Sequence, residues 1–171
     1  MPNILELHAL TKHFHGVVAI DHVDLDVREG EVHILVGENG AGKSSLVKVV
    51  CGIYMPDGGE MLYQGVPYAP QSPLAAIHGG IRVVYQEFNL LPYLSVAENI
   101  FFERLPQHAG MVDFRTLYRQ AQSVLDEVGL DISPRTPVEL LGVAQTQLIE
   151  IAKAISNESK VLILDEPTAT L

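Results

Sequence analysis

Residues 37–44 read GENGAGKS: three glycines around one lysine, directly after the apolar run HILV and shortly before LVKVV. Glycine weakens regular structure and is selected where the backbone turns sharply or approaches another group closely. The stretch satisfies the pattern G-x-x-x-x-G-K-[ST], with a strand-like run before it and a helix-like run after it. Each part then has a chemical purpose. Gly37, Gly40 and Gly42 let the amides of the loop, those of Glu38, Asn39, Ala41 and Ser45 among them, wrap an anion unobstructed. The following helix aims its positive end at phosphates. Lys43 supplies a point charge to the β and γ phosphates of a nucleotide, and the Ser44 hydroxyl can ligate Mg2+. The plain alternative is a glycine-rich connection carrying an exposed lysine.

A second feature supplies what this loop lacks. LILDEP, residues 162–167, is an apolar run ending in two carboxylates. Asp165 at the strand end can hold magnesium, and Glu166 can orient and polarise an attacking water. Alone, such a pair would be a solvated strand terminus. Downstream of a phosphate loop it points to hydrolysis rather than binding alone.

The rest of the chain reads as α/β. ILELHAL alternates loosely as a strand, and HVDLDV alternates strictly, with Val23, Leu25 and Val27 on one face of a half-buried antiparallel strand. EVHILV, residues 31–36, reads as a strand buried on both faces, and KSSLVKVVCGI as a helix ending near Gly52. MPDGG is a turn, GEMLYQG a short strand and IRVVYQ a buried one. Ser95 and Glu98 form a capping-box pattern. Asp113 caps a helix whose apolar positions Phe114, Leu117, Ala121, Val124, Leu125 and Val128 share a face, and Gly129 ends it. A last helix carries Leu148, Ile151, Ala152 and Ile155 on one face, and KVLILDEPT is a buried strand.

Composition narrows the function. The 171 residues suffice for one domain with a substantial core. A formal net charge of -10 argues against a general nucleic-acid binder, which needs basic patches. The single cysteine, Cys51, can form no internal disulfide and lies in apolar surroundings, consistent with a reducing cytosolic setting. No apolar run approaches the roughly 18 residues that span a bilayer, and the N-terminus lacks signal-peptide organisation. Action at a membrane would go through a partner. The seven histidines show no metal-ligand spacing and read as surface residues.

Together these parts resemble the ATP-binding subunits of ABC transporters, along nearly the whole chain. The resemblance implies a P-loop NTPase core with an antiparallel β subdomain and an inserted α-helical subdomain at approximately 88–157, the whole of 1–171 forming an incomplete ATP-binding domain. VVYQE is similar to the family's Q-loop, which makes Gln86 a magnesium and water sensor. TKHFHGVVAI is similar to the adenine-stacking segment, with Phe14 as the platform for the base or else a core residue. LGVAQ, residues 141–145, stands where the family carries LSGGQ and departs from it at Gly142, Val143 and Ala144. Leu141 to Gln145 would grip the γ-phosphate of ATP held by a partner domain. The serine hydroxyl is lost, but amides at the start of the following helix could still hold the anion. The altered clamp is expected to be weakened rather than absent.

LGVAQTQLIEIAKAI, QEFNLLPYLSVAENIFF and MVDFRTLYRQAQSVLDEVGLDISP are similar to bacterial monosaccharide importers of the ribose, xylose and galactose type. In these, one polypeptide carries two fused ATP-binding halves. The resemblance implies an ATPase peripheral to the cytoplasmic face of the inner membrane. Its ligands are ATP and Mg2+; its partners are transmembrane permease subunits, a second ATP-binding half (fused or dimeric) and, indirectly, a periplasmic sugar-binding protein, with no nucleic acid. Leu91, Pro92, Tyr93 and Phe101 are candidates for permease contact or for packing within the helical subdomain. The family's dimer-contact loop and a strand ending in a histidine would follow Leu171. The expectation is therefore a fragment or incomplete gene product, binding ATP with little turnover in isolation. The alternatives are an ABC ATPase without a transporter and a nucleotide-binding remnant.

Overall fold

The computed structural model describes residues 2–38, 40–84, 90–157 and 159–165, in two compact units, 1–81 and 82–171.

The first unit is built on an antiparallel sheet. Strands β1 (Asn3–Phe14), β2 (Val17–Arg28), β3 (Gly58–Tyr63) and β4 (Val66–Pro67) lie in the order β2-β1-β3-β4. The alternation anticipated in β2 holds: Val23, Leu25 and Val27 are half-buried and their neighbours exposed. The core face of the sheet buries Leu5, Leu7, Leu10, Ile20 and Met61. β1 runs beyond the ILELHAL stretch to Phe14, and its register with β2 shifts at several points. At one of them Ala9 takes a positive φ of 46°, and its N–H is taken by Asp24 Oδ1 at 2.7 Å. Helix α1 (Lys43–Val50) follows the glycine loop and buries Leu46, Val47, Val49 and Val50. Cys51 at its end is 4% exposed, and burial pushes its thiol up to about 12, so it is a packed small hydrophobe. A short helix, α2 (Pro73–His78), starts at Ser72, whose hydroxyl accepts from Ala75 N–H.

One expectation fails here. Residues 31–36 form no strand, and Val32, Ile34 and Val36 are 88%, 75% and 91% exposed. A strand buried on both faces sits inside a sheet, hydrogen-bonded to neighbouring strands and covered by packed elements on each face. Among the described residues none pairs with it, so its apolar side chains stay in solvent.

Among the described residues, the second unit contains all of β5 (Ile81–Val84) but its first residue, paired with β8 (Val161–Leu164), a hairpin of β6 (Gln107–His108) and β7 (Met111–Val112), and three α-helices: α3 (Val96–Ile100), α4 (Phe114–Glu127) and α5 (Val143–Ser156). The two predicted caps form. Ser95 and Glu98 make the capping box of α3, and Asp113 accepts from Thr116 N–H at 3.1 Å at the start of α4. Gly129, with φ 70°, lies just past the end of α4. The three helices enclose a core of Val96, Ala97, Ile100, Phe101, Leu117, Ala121, Leu125, Ile149 and Ala152.

The buried face of α5 is centred on Ile149 and Ala152, rotated from the expected one, with Leu148, Ile151 and Ile155 half-buried. β8, paired with β5, is half-buried rather than buried, and Leu164 at its end is exposed. No helix among the described residues is long and apolar enough to cross a membrane.

Candidate functional site

The loop before α1 has the geometry its composition demands. Gly40 and Gly42 both take φ of 87°, in the left-handed region. Gly42 has a further constraint: a Cβ there would lie 2.2 Å from the carbonyl oxygen of Ala19 on β2. The loop is thus seated against the β2 backbone, and only glycine permits that approach. The Ala41 N–H closes a turn on the carbonyl of Glu38 at 3.1 Å.

Lys43 folds back over this turn. Its Nζ donates to the carbonyl oxygens of Gly37 at 2.7 Å and Glu38 at 2.9 Å. Gly42 is the N-cap of α1 and offers no side chain to the first turn, so the amides of Lys43, Ser44 and Ser45 begin the helix without a side-chain cap. A held ammonium group and the positive end of a helix meet in one loop. That is the chemistry a phosphate chain requires. Ser44 is exposed on the first turn, where its hydroxyl is available as a hard oxygen donor. An open cleft of about 480 Å³ lies alongside, lined by Val18, Ala19, Ile20, Leu35, Gly40, Ala41, Gly42 and Lys43 among others.

Phe14 ends β1 in the same unit and is half-buried. The Tyr54 ring meets it edge-on, with centroids 4.9 Å apart, and Lys12 Nζ lies 5.5 Å from its centroid. Tyr54 N–H donates to Lys48 O of α1 at 3.2 Å, which ties the aromatic pair to the helix behind the glycine loop.

In the second unit, Asp165 follows β8 directly, and its N–H donates to Val84 O at the end of β5 at 3.0 Å. Asn39, Gln86 and Glu166 lie outside the described residues. Residues 141–145 surround the start of α5. Gly142 is the N-cap, in extended conformation; its N–H donates to Gln145 Oε1 at 3.1 Å and its carbonyl accepts from Thr146 Oγ1 at 3.0 Å. Gly142, Val143 and Ala144 are exposed, while Leu141 and Gln145 are half-buried. Without a side chain at 142, no hydroxyl occupies the first-turn amides, and Gln145 is committed to holding the helix start.

The four candidate contact residues separate. Phe101 belongs to the helical core, whereas Leu91, Pro92 and Tyr93 are exposed, Tyr93 by 82%. Sequence reasoning passed over Asn99, which is 2% exposed and organises this loop. Its Oδ1 accepts from Leu91 N–H at 2.7 Å, and its Nδ2 lies within reach of the carbonyls of Leu91, Leu94 and Ser95 at 3.0, 3.3 and 3.1 Å. A polar residue in an otherwise apolar helix face was the available signal.

All seven histidines are exposed or half-buried; His8, His13, His22 and His33 pair with acidic neighbours, and no cluster of metal-ligating side chains occurs among the described residues.

Comparison with known proteins agrees with these features. The family model described as ABC transporter matches residues 20–169. A putative ribose/galactose/methyl galactoside import ATP-binding protein of Burkholderia ambifaria is 51% identical over 98% of the chain. A ribose import ATP-binding protein of Rubrobacter xylanophilus is 50% identical over all of it. The matches cover 32% and 34% of those proteins, so the chain spans about a third of the length of the curated relatives it matches. Among solved structures, cbiO1 from Clostridium perfringens, part of the ABC transporter complex cbiONQ, superposes with a TM-score of 0.85 at 27% identity, over 100% of this chain and 68% of that one. The ADP conformation of an ATP-binding cassette of an ABC transporter gives 0.83 at 25% identity, over 100% and 71%.

Proposed function

The chain belongs to the ABC transporter ATP-binding family, and from that premise we propose that it binds and hydrolyses ATP to power import of a monosaccharide. The observation that carries the nucleotide reading is the loop of 37–44, where Lys43 is held on the carbonyls of Gly37 and Glu38 and the amides at the start of α1 are free of a side-chain cap. The sugar reading rests on the relatives, whose names are those of ribose and galactose import proteins.

In this reading 37–45 cradle the triphosphate, with Lys43 on the β and γ phosphates, and Phe14 takes the base. Ser44, Gln86 and Asp165 are the oxygen donors for magnesium, which when bound neutralises charge on the phosphates. Glu166 orients and polarises the attacking water. Leu141 to Gln145 present helix amides to the γ-phosphate of a nucleotide held by a second ATP-binding half. Catalysis is mostly positioning and charge neutralisation. The helical subdomain extends over approximately 88–157, and its exposed Leu91, Pro92 and Tyr93 face a transmembrane permease served by a periplasmic sugar-binding protein. The working position in this reading is the cytoplasmic face of the inner membrane, against the permease.

The test is reconstitution of the intact protein with its permease in vesicles. ATP-dependent uptake of labelled ribose or galactose is expected, and Glu166→Gln should retain ATP binding while hydrolysis and uptake fall together. Hydrolysis stimulated by ribosomes or DNA and not by the permease would replace the transport reading. Full turnover by residues 1–171 alone would remove the need for a second half.

A further inference from the structure

The ring assigned to the base does not stand alone: its surroundings converge on Asp57, in the turn MPDGG. Asp57 Oδ1 accepts from Lys12 Nζ at 2.9 Å, and Oδ2 accepts from His13 N–H at 2.6 Å and lies 3.5 Å from His13 Nδ1. The Asp57 N–H donates to Thr11 O at 2.9 Å. One residue therefore ties down 11, 12 and 13, the last three positions before Phe14. It also fixes the Lys12 ammonium, which sits 5.5 Å from the centre of the Phe14 ring, and whose side chain is only 14% exposed. Three residues earlier, Tyr54 meets the same ring edge-on and is bonded to α1 through Lys48 O. Segment 54–57 thus spans from the helix behind the phosphate loop to the aromatic platform and braces the platform from two sides.

We infer that Asp57 is a positioning residue for the nucleotide base: through Lys12 and the end of β1 it holds the Phe14 ring in register with the phosphate loop. The inference rests on the assignment of Phe14 to the base. A charged pair beside an aromatic face matters here for geometry. The ammonium is drawn to the ring's negative face, and the carboxylate determines where that ammonium stands. A ring held in place from two sides loses little freedom when a base stacks on it, and pre-organisation of this kind converts into affinity.

The experiment compares two probes on the intact protein, MgATP and inorganic tripolyphosphate, which shares the phosphates and lacks the base. Phe14→Ala should weaken ATP binding by about fivefold to a hundredfold, the range of one base–aromatic stack, and leave tripolyphosphate unchanged. Asp57→Asn should weaken ATP by about threefold to tenfold, again with tripolyphosphate unchanged. In the Phe14→Ala background Asp57→Asn should add nothing. If Asp57→Asn fails to fold, Lys12→Met, which removes the partner of Oδ1, is read in the same way. Unchanged ATP affinity in these variants, or equal losses for both probes, overturns the role of Asp57 while sparing that of Phe14. A Phe14→Ala protein that binds both probes normally overturns the base assignment and this inference with it.

Discussion

The backbone N–H of Asp165 donates to the carbonyl oxygen of Val84 at 3.0 Å, so the ends of β5 and β8 are joined by main-chain atoms. This rung places the residue that carries the carboxylate beside the position two before Gln86. Because the anchor is main chain, the side chain can be exchanged without loosening the strand end. Asp165→Asn in the intact protein should change stability by no more than about 0.5 kcal/mol. Its ATP hydrolysis should fall by roughly 100-fold, the scale seen when one charge-stabilising group is removed from a site. Steady-state hydrolysis and a denaturation curve measured together check this. A near-normal rate would remove Asp165 from the site.

Lys43 sits on its own loop, bonded to the carbonyls of Gly37 and Glu38. Those bonds are exposed to solvent, so water replaces the ammonium when it is removed and the fold is little affected. Charge-assisted contacts to phosphate are worth more. Lys43→Ala should lower ATP affinity by about 10- to 100-fold, read by calorimetric titration. Retained affinity would show that the amides alone hold the nucleotide.

Two glycines with the same φ of 87° provide a controlled comparison. A Cβ at Gly40 meets nothing within 4 Å, while one at Gly42 meets Ala19 O at 2.2 Å. Gly40→Ala should therefore lose only the cost of a left-handed residue, about 1–2 kcal/mol. Gly42→Ala should lose more and should also weaken ATP binding, because the loop must leave β2. Urea denaturation of both variants measures the difference; equal losses would mean that the contact with Ala19 carries no weight.

Asn99 is a buried amide whose polar atoms are all spent on the loop that exposes Leu91, Pro92 and Tyr93. Asn99→Ala deprives the Leu91 N–H of its acceptor and removes one of two donors from the carbonyls of Leu91, Leu94 and Ser95, which keep the N–H groups of Leu94, Val138 and Asn99. A loss of about 1–3 kcal/mol is expected, together with faster amide hydrogen exchange at 91–95 than elsewhere in the second unit. Uniform exchange across the unit would indicate a purely global loss.

What the sequence made legible was local. Strict alternation revealed β2, and Ser95 with Glu98 and Asp113 revealed two helix starts, because capping chemistry acts within four residues. The glycine loop was readable because few other demands require that spacing. Long-range closure was not readable. Nothing in MPDGG announces that Asp57 will reach Lys12, forty-five positions away in the chain. The strand reading of EVHILV failed for the same reason, since a central strand is defined by neighbours and none pairs with it among the described residues. The face of α5 was misjudged because apolar residues occur around much of the helix, and neighbours on α3 and α4 decide which stripe is buried. Helix α2 was missed although Ser72 before Pro73 is a start signal that needed only to be applied.

Asp113 offers a test of the helical unit by pH. Hydrogen bonds from the Thr116 hydroxyl at 2.6 Å and then from Thr116 N–H at 3.1 Å hold its carboxyl below the usual carboxylate value. A lowered value in the folded state means that the unfolded chain binds the proton more tightly. The stability it contributes is therefore complete above the unfolded value of about 3.9 and disappears as pH falls through the lower folded one. Asp113→Ala should reduce stability at neutral pH and give a shallower acid limb. The limb should not vanish, because Arg82 holds Glu103 low, and Lys12 and the His13 amide hold Asp57 low. Urea midpoints across the acid range for wild type and variant decide the matter: acid limbs of equal slope would show that the Asp113 carboxylate contributes nothing through its charge, leaving the cap to geometry alone.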